Sequence, residues 1–228
     1  MDKHIAYHEL LDTVRDSKGC PLCRLESRSA YRYLDSLLHQ SINDPGVRRN
    51  LVQSRGFCSR HARQLAEFRN ALGAAILYDD QLRSFLGFID TLPAAPQKRA
   101  RRPEEWPRAG LCPACRAEVE CGGRFAAILA SGLEEEEMRS AYSSCSGLCA
   151  SHFVGVLGET HNADTYRFLI SHQRARVDTL LRELQEFQRK HDYRFHHERF
   201  GGEGDSWLRA IKLIAGEDDE PKTPRGPK

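Results

Sequence analysis

Two stretches of sequence decide how this chain folds: Cys20-Pro21-Leu22-Cys23 and Gly56-Phe57-Cys58-Ser59-Arg60-His61. Both recur further along, as Cys112-Pro113-Ala114-Cys115 and Gly147-Leu148-Cys149-Ala150-Ser151-His152. The two halves are separated by 34 residues in the first copy and by 33 in the second. A C-x2-C knuckle with a distant C-x2-H knuckle offers three thiolates and one imidazole, which is a complete tetrahedral set for zinc. Its recurrence at nearly the same spacing argues against coincidence.

The pattern predicts two Zn2+ ions per chain, one in each copy. The predicted ligands of the first ion are Cys20, Cys23, Cys58 and His61, and those of the second are Cys112, Cys115, Cys149 and His152. A set of three sulfurs and one nitrogen leaves no open position for water, which is typical of a structural site. Each ion would join the starts of two helices and close a loop of more than thirty residues.

Composition narrows the class of protein. The chain has 228 residues, 40% of them hydrophobic and 29% charged, as in an ordinary soluble protein. The formal net charge of +2 gives no general case for nucleic-acid binding. No apolar run approaches the ~20 residues of a membrane helix, and the N-terminus lacks the apolar stretch of a signal peptide. We therefore expect a cytoplasmic protein that does not bind membranes.

Periodicity predicts an all-α fold of two pseudo-repeated helical units, each with a zinc-knuckle pair, plus a short C-terminal helix. Long helices are expected over about 74–92 and 163–191, because apolar residues recur there every three or four positions. We expect their apolar stripes to lie in the core. The stripe residues are Leu82, Phe85, Ile89 and Leu92 in the first helix, and Val177, Leu180, Leu184 and Phe187 in the second.

The expected domains are consecutive. Residues 1–92 form the first unit, 93–110 a proline-rich basic linker, and 111–192 the second unit. Residues 193–216 form a C-terminal extension with a short helix, whose residues Trp207, Leu208, Ile211 and Ile214 share one face. Residues 217–228 are charged, contain three prolines and are expected to be disordered.

Thiol chemistry is the alternative to zinc. A Cys-Pro-x-Cys sequence at a helix start is a known redox arrangement, although its usual context is a βαβ pattern. Redox chemistry would also leave the two C-x2-H knuckles unexplained, and iron–sulfur clusters usually require four cysteines. Cys121 and Cys145 lie outside both ligand sets. They fit small buried side chains or, alternatively, a reserve thiol beside the second metal site.

The segment from Arg189 to Trp207 is the expected interaction surface, because the repeat does not require it. It interleaves basic and aromatic residues, of which we single out Lys190, Tyr193, Arg194, Phe195 and Trp207. This mixture suits a protein hot spot or phosphate contacts with base stacking. The competing interpretation is that the aromatic residues fold back and cover the end of the core.

The sequence also resembles a bacterial family known only as a domain of unknown function, along nearly its whole length. The resemblance is carried by the knuckles and by Asn43-Asp44-Pro45-Gly46-Val47, Ala74-Ala75-Ile76-Leu77-Tyr78, Lys190-His191-Asp192-Tyr193-Arg194-Phe195 and Asp205-Ser206-Trp207-Leu208-Arg209-Ala210-Ile211. The resemblance supports the division into two helical units described above, and it implies no particular activity.

The function favoured by the sequence is therefore that of a non-enzymatic zinc-binding adaptor or regulator with a protein partner. A nucleic-acid-binding zinc module and a thiol-redox or metal-handling protein remain the alternatives.

Overall fold

The computed structural model describes residues 5–16, 19–93, 106, 110–195 and 197–217. These residues form helices and connecting turns and contain no β-strand, which confirms the all-α prediction. The α-helices are α1 (Ile5–Asp16), α2 (Pro21–Ser36), α3 (Pro45–Gln53), α4 (Ser59–Glu67), α5 (Ala71–Asp90), α6 (Pro113–Gly132), α7 (Glu136–Ser144), α8 (Ala150–Glu159), α9 (Ala163–Lys190) and α10 (Ser206–Ala215). A π-helical turn, Leu37–Ser41, extends α2, and a 3-10 turn, Gly202–Asp205, precedes α10.

Local sequence explains where the helices begin. Proline is the first residue of α2, α3 and α6, where its missing N–H has no helical partner to lose. Asp44 caps α3 by accepting hydrogen bonds from the backbone N–H groups of Gly46 and Val47. Asn162 caps α9 in the same way. Asp205 occupies the cap position of α10 but makes no capping hydrogen bond; its carboxylate accepts from Arg209 instead.

The chain folds into two compact units, each with its own core. Unit 1 joins the described residues up to Ser27 with those from Cys121 to Glu217, and unit 2 comprises the described residues from Arg28 to Glu120. Each unit therefore combines one half of the first sequence copy with the other half of the second copy. This arrangement differs from the predicted consecutive division. Most of the predicted linker 93–110 lies outside the described residues, as do residues 218–228 of the predicted disordered tail.

Unit 1 is built around α1, α6, α7 and α9. Its core residues include Leu10, Phe125, Leu129, Tyr142 and Leu169, all of which are almost completely buried. Surface ion pairs add to this packing: Arg15 of α1 contacts Glu137 of α7 at 3.0 Å. The predicted core stripe of α9 is confirmed in part, because Leu180 is buried and Val177, Leu184 and Phe187 are half-buried.

Unit 2 packs around the second half of α2 and the start of α5. Leu34, Leu51, Phe57, Leu65 and Leu77 form its core. Arg48 of α3 forms a two-pronged salt bridge with Asp80 of α5, at 2.5 and 2.6 Å. The predicted core stripe on α5 is wrong, because the apolar side chains of its second half are mostly exposed, although the rings of Phe85 and Phe88 contact that of Trp106, with 4.9 Å between centroids. Its exposed apolar residues are Leu82, Phe85, Leu86 and Ile89, and Leu92, which follows the helix, is exposed as well.

The short C-terminal helix is present as predicted, but its apolar face points outward. Trp207, Leu208, Ile211 and Ile214 are 42 to 69% exposed. Within the part of the chain that the structure describes, no helix combines the length and apolar character of a membrane span.

Candidate metal centres

The first centre lies in unit 1 and consists of Cys20, Cys23, Cys149 and His152. The Nδ1 atom of His152 lies 3.4 Å from the sulfurs of both Cys20 and Cys23 and 3.2 Å from that of Cys149. The sulfurs of Cys23 and Cys149 are 3.6 Å apart. All three cysteines are buried and the histidine is half-buried. The four donor atoms therefore enclose a common point.

The second centre lies in unit 2 and consists of Cys58, His61, Cys112 and Cys115. The Nδ1 atom of His61 lies 3.3 Å from the sulfurs of Cys58 and Cys112 and 3.4 Å from that of Cys115. Two sulfur–sulfur distances, Cys112 to Cys115 and Cys58 to Cys115, are 3.4 and 3.7 Å. Three sulfurs and one Nδ1 atom thus form a cluster like that of the first centre.

The eight predicted ligands are brought together in two groups of four, but the predicted pairing is wrong. Each C-P-x-C knuckle meets the C-x2-H knuckle of the other copy: Cys20 and Cys23 meet His152, and Cys112 and Cys115 meet His61. The two C-x2-H knuckles have the same donors and the same local geometry. A C-P-x-C knuckle therefore has no chemical reason to select the one in its own copy, and packing makes the choice.

The distances fit a tetrahedral metal ion. Zinc bonds of about 2.3 Å to sulfur and about 2.0 Å to nitrogen place ligand atoms about 3.5 to 3.8 Å apart at tetrahedral angles. The observed separations, from 3.2 to 3.7 Å, lie close to this range. None of the six cysteines in the two clusters forms a disulfide bond, so their sulfurs are available as ligands.

Each centre is built where two helices begin. Cys58 and Cys149 occupy the N-cap positions of α4 and α8, and Cys20 and Cys112 directly precede the first prolines of α2 and α6. Helix N-termini present unpaired N–H groups and a partial positive charge, which favour thiolates. Gly56 and Gly147 lead into the C-x2-H knuckles with φ of 78° and 84°, as expected from their positions.

A carboxylate holds the histidine of each centre, and our sequence analysis missed it. Glu26 lies 3.0 Å from the Nε2 atom of His152, and Glu118 lies 3.3 Å from that of His61. Such contacts orient a metal-bound imidazole, so that Nδ1 is left to face the metal. A signal was present: each C-P-x-C is followed by Arg-x-Glu, giving Cys20-Pro21-Leu22-Cys23-Arg24-Leu25-Glu26 and Cys112-Pro113-Ala114-Cys115-Arg116-Ala117-Glu118. The pairing also crosses between the copies.

The electrostatics of both clusters favour a cation. At the first centre, hydrogen bonds with Cys20 and Cys23 lower the pKa of Cys149, and the bond with Cys149 raises the pKa of Cys20 to about 12. At the second, burial opposes ionisation of Cys112, but its hydrogen bond with His61 lowers its pKa to about 6. One thiolate forms readily in each cluster, and the remaining thiols resist ionisation beside it. A divalent cation removes this conflict.

The histidines respond to the same surroundings. Burial alone would lower the pKa of His61, but its hydrogen bond with Cys112 and the nearby carboxylate of Glu118 outweigh burial and raise the pKa to about 9. For the same reasons, with Cys149, Cys23 and Glu26 as partners, the pKa of His152 rises to about 12. Metal binding must displace these protons, so it releases protons into solution.

Cys121 and Cys145 are core residues. Cys121 is 5% exposed and its thiol donates to the backbone oxygen of Leu25. Cys145 is also 5% exposed, accepts from the backbone N–H of Gly147, and has a pKa raised by burial. Neither belongs to a metal-binding cluster. The interpretation as small buried side chains is therefore confirmed.

The predicted C-terminal partner residues do not form one charged surface. The Lys190 ammonium group contacts Glu203 at 2.6 Å and Glu186 at 3.7 Å, and its side chain is only 13% exposed. Arg194 pairs with Asp192 at 2.8 Å. Phe195 is half-buried beneath Arg189, Tyr193 is exposed, and Trp207 lies on the outer face of α10. Carboxylates of nearby residues in the same chain thus neutralise much of the positive charge that the sequence shows in this segment.

Fold and clusters together define an all-α protein with two Cys3His groups able to hold metal ions. A profile of a family of unknown function, DUF6062, matches residues 1–221, and the chain belongs to this family. It is also similar to a protein of Caldicellulosiruptor sp. (strain Rt8B.4), described as an uncharacterized 23.9 kDa protein in the xynA 3′ region. The two are 28% identical over 201 residues, which cover 86% of this chain and 95% of the relative. No solved structure matches the chain.

Proposed function

We propose that the protein binds two zinc ions as structural elements of a helical adaptor or regulator. The observation that carries the metal assignment is the convergence of three sulfurs and one Nδ1 within 4.8 Å of one another, twice in one chain. Three thiolates and one imidazole suit zinc, and four protein ligands complete its tetrahedron. Such a saturated site supports a structural role rather than catalysis.

The alternatives have less support. An iron–sulfur cluster usually takes four cysteines, whereas each group here contains a histidine. A thioredoxin-like redox site belongs to a βαβ context, and the described residues contain no strand. Carboxylate-supported histidines are the usual companions of bound metal. A metal-handling role stays the second candidate, because two cysteines of the second centre are partly exposed.

A protein partner is favoured over nucleic acid by the exposed surface. The outer face of α5 carries a row of leucine, isoleucine and phenylalanine side chains, and an exposed apolar face of this kind is typical of protein contacts. Nucleic-acid binding would need unpaired basic groups, whereas Arg189 and Lys190 are engaged by Glu186, Glu198 and Glu203. We propose a reducing cytoplasmic setting, in which thiols stay available as ligands.

Metal analysis tests the first part of this proposal. The purified chain should contain close to two zinc ions, measured by elemental analysis and by native mass spectrometry. The variant Cys23→Ser/Cys115→Ser, which removes one ligand from each centre, should contain almost none. A folded parent protein without metal would contradict the assignment, and iron in place of zinc would correct it.

Partner capture tests the second part. We expect Leu86→Glu, on the exposed face of α5, to abolish capture of a protein partner identified with the parent chain. Val154→Glu, at an exposed position in α8, is the matched control and should capture it normally. Salt-sensitive retention of nucleic acid by both variants, with no protein partner, would favour the nucleic-acid alternative.

A further inference from the structure

The end of the described chain returns to the first metal centre. After α10 ends, the backbone N–H of Glu217 donates a hydrogen bond to the sulfur of Cys23 at 3.4 Å. The carboxylate of the same residue accepts from the backbone N–H of Cys20 at 3.1 Å. Glu217 lies 194 positions from Cys23 in the sequence, so the contact is made by tertiary structure alone.

The turn that makes this contact requires glycine. Gly216 has a φ of 85°, which other residues rarely adopt. A Cβ atom at this position would lie 3.5 Å from the sulfur of Cys23 and 3.9 Å from that of Cys149. At Gly19, a Cβ atom would lie 1.9 Å from the Glu217 carboxylate, so that glycine leaves the space which the carboxylate occupies. Both glycines thus allow Glu217 to lie against the centre.

Ion pairs anchor the helix that carries this turn. Arg209 of α10 contacts Glu183 of α9 at 2.7 Å, and Lys212 contacts Glu217 itself at 3.6 Å. Between α10, α9 and the first centre remains a cavity of about 450 Å³, whose lining includes Cys20 and Cys149. Glu217 therefore lines a space that also reaches Cys20 and Cys149.

A backbone N–H directed at a metal-bound thiolate stabilises the charge on sulfur and covers it from solvent. At the second centre, the hydrogen bonds described from backbone N–H to sulfur come from within the knuckles, from His61 to Cys58 and from Cys115 to Cys112. Cys58 and Cys115 are also more exposed than any cysteine of the first centre. The first centre thus has an additional cover contributed by a distant segment.

We propose that Gly216 and Glu217 form a lid over the first metal centre that slows loss of its metal and reaction of its thiolates. Glu217 acts as a positioning residue for Cys20 and Cys23, through its N–H and its carboxylate. This inference rests on the proposed binding of zinc. It assigns a role to a segment that lies outside the duplicated plan, and it makes α10 the element whose docking controls access to one of the two ions.

The test compares full-length variants at residue 217. Glu217→Pro removes the N–H donor and the carboxylate together, whereas Glu217→Gln retains the N–H and an oxygen acceptor. Zinc transfer to an excess of a chromophoric chelator is followed with time. Mass spectrometry of alkylated cysteines assigns each phase to Cys20 and Cys23 or to Cys58 and Cys115. The second centre of the same molecule serves as the internal control.

We expect Glu217→Pro to accelerate release from the first centre by about tenfold, the lower end of the loss in metal affinity that follows when a hydrogen-bond partner of a metal ligand is removed. Release from the second centre should not change, and Glu217→Gln should resemble the parent. If zinc leaves the first centre at the same rate in all three proteins, the proposed lid is wrong. The same conclusion follows if Glu217→Pro accelerates release equally at both centres. A parent chain that carries no zinc would refute the proposed function instead, so the two failures are distinguishable.

Discussion

The two candidate metal centres have the same kinds of donor side chain, but different donors are buried in each. In the first, the sulfurs are buried, with exposures of 2 to 5%, and the histidine is partly accessible. In the second, His61 is completely buried, whereas Cys58 and Cys115 are partly accessible. Gly216 and Glu217, which lie against the first centre, account for part of this difference. The recurring motif thus forms one centre with three buried cysteines and one with a fully buried histidine.

The difference in burial matters because thiolate and imidazole lose their ability to bind metal through different reactions. Thiolates are lost to oxidants and alkylating reagents, and their reactivity follows exposure. Imidazole is lost to protonation. The first centre should therefore withstand oxidants better, and the second should hold its histidine ligand more firmly against solvent.

Removal of one sulfur ligand should produce the largest effect. A zinc site contributes to the folding free energy, so we expect Cys149→Ser and Cys58→Ser each to lower the free energy of unfolding by more than about 4 kcal/mol. Cys149→Ser should cost more, because it leaves buried thiols without a cation. Urea titration with zinc present measures both. Cys121→Ser, outside both centres, is the control for a buried cysteine, and a loss as large as that of Cys149→Ser would contradict the metal assignment.

Neutralising the supporting carboxylates should have the next largest effect. We expect Glu26→Gln to weaken zinc affinity at the first centre about 10- to 100-fold, and Glu118→Gln to do the same at the second, since each orients one histidine. Glu120→Gln is the matched control, because this residue is exposed and contacts neither histidine. Competition with a chelator of known affinity measures the change. Loss at the wrong centre would show that the crossed pairing is incorrect.

Alanine substitution of Gly56 and Gly147 should reveal a further difference in stability between the two centres. Both residues have positive φ, so each substitution costs about 1 to 2 kcal/mol of stability. At Gly147 the new methyl group would also lie 2.9 Å from the Arg176 side chain, whereas at Gly56 the nearest atom is at 3.6 Å. We therefore expect a lower melting temperature for Gly147→Ala than for Gly56→Ala. Equal melting temperatures would mean that Arg176 moves aside without cost.

The smallest expected effect is a difference in thiol reactivity within the intact protein. Cys58 and Cys115 should react with N-ethylmaleimide several-fold faster than Cys20 and Cys23, because their sulfurs are more accessible. Peptide mapping over a time course gives both rates in one sample. Faster labelling of the first centre would reverse the proposed order of protection.

Much of the fold could be predicted because helix signals are local. The prolines that begin α2, α3 and α6, the Asp44 cap of α3 and the acidic first turn of α7 lie within a few residues of the helices they define. The eight predicted ligands could also be recognised from the sequence, since each knuckle is a motif of four consecutive residues. The Arg-x-Glu that follows each C-P-x-C was just as visible, but its role depends on a histidine in the other copy.

Periodicity failed where it could not distinguish a buried face from an exposed one. On α9 the apolar stripe is buried or half-buried, whereas the similar stripe of α5 is exposed. Both patterns describe an amphipathic helix, and only the positions of neighbouring helices determine whether that face is covered.

The sequence by itself determined the helices, the set of donor atoms and their division into knuckles, because these depend on residues close together in the chain. Only the tertiary structure decided which knuckles meet, that Glu26 serves His152 while Glu118 serves His61, and that Glu217 lies against Cys23. The physical reason is that the two copies offer the same ligands at nearly the same spacing. Their chemistry cannot distinguish the partners, so the packing of each unit's core selects them.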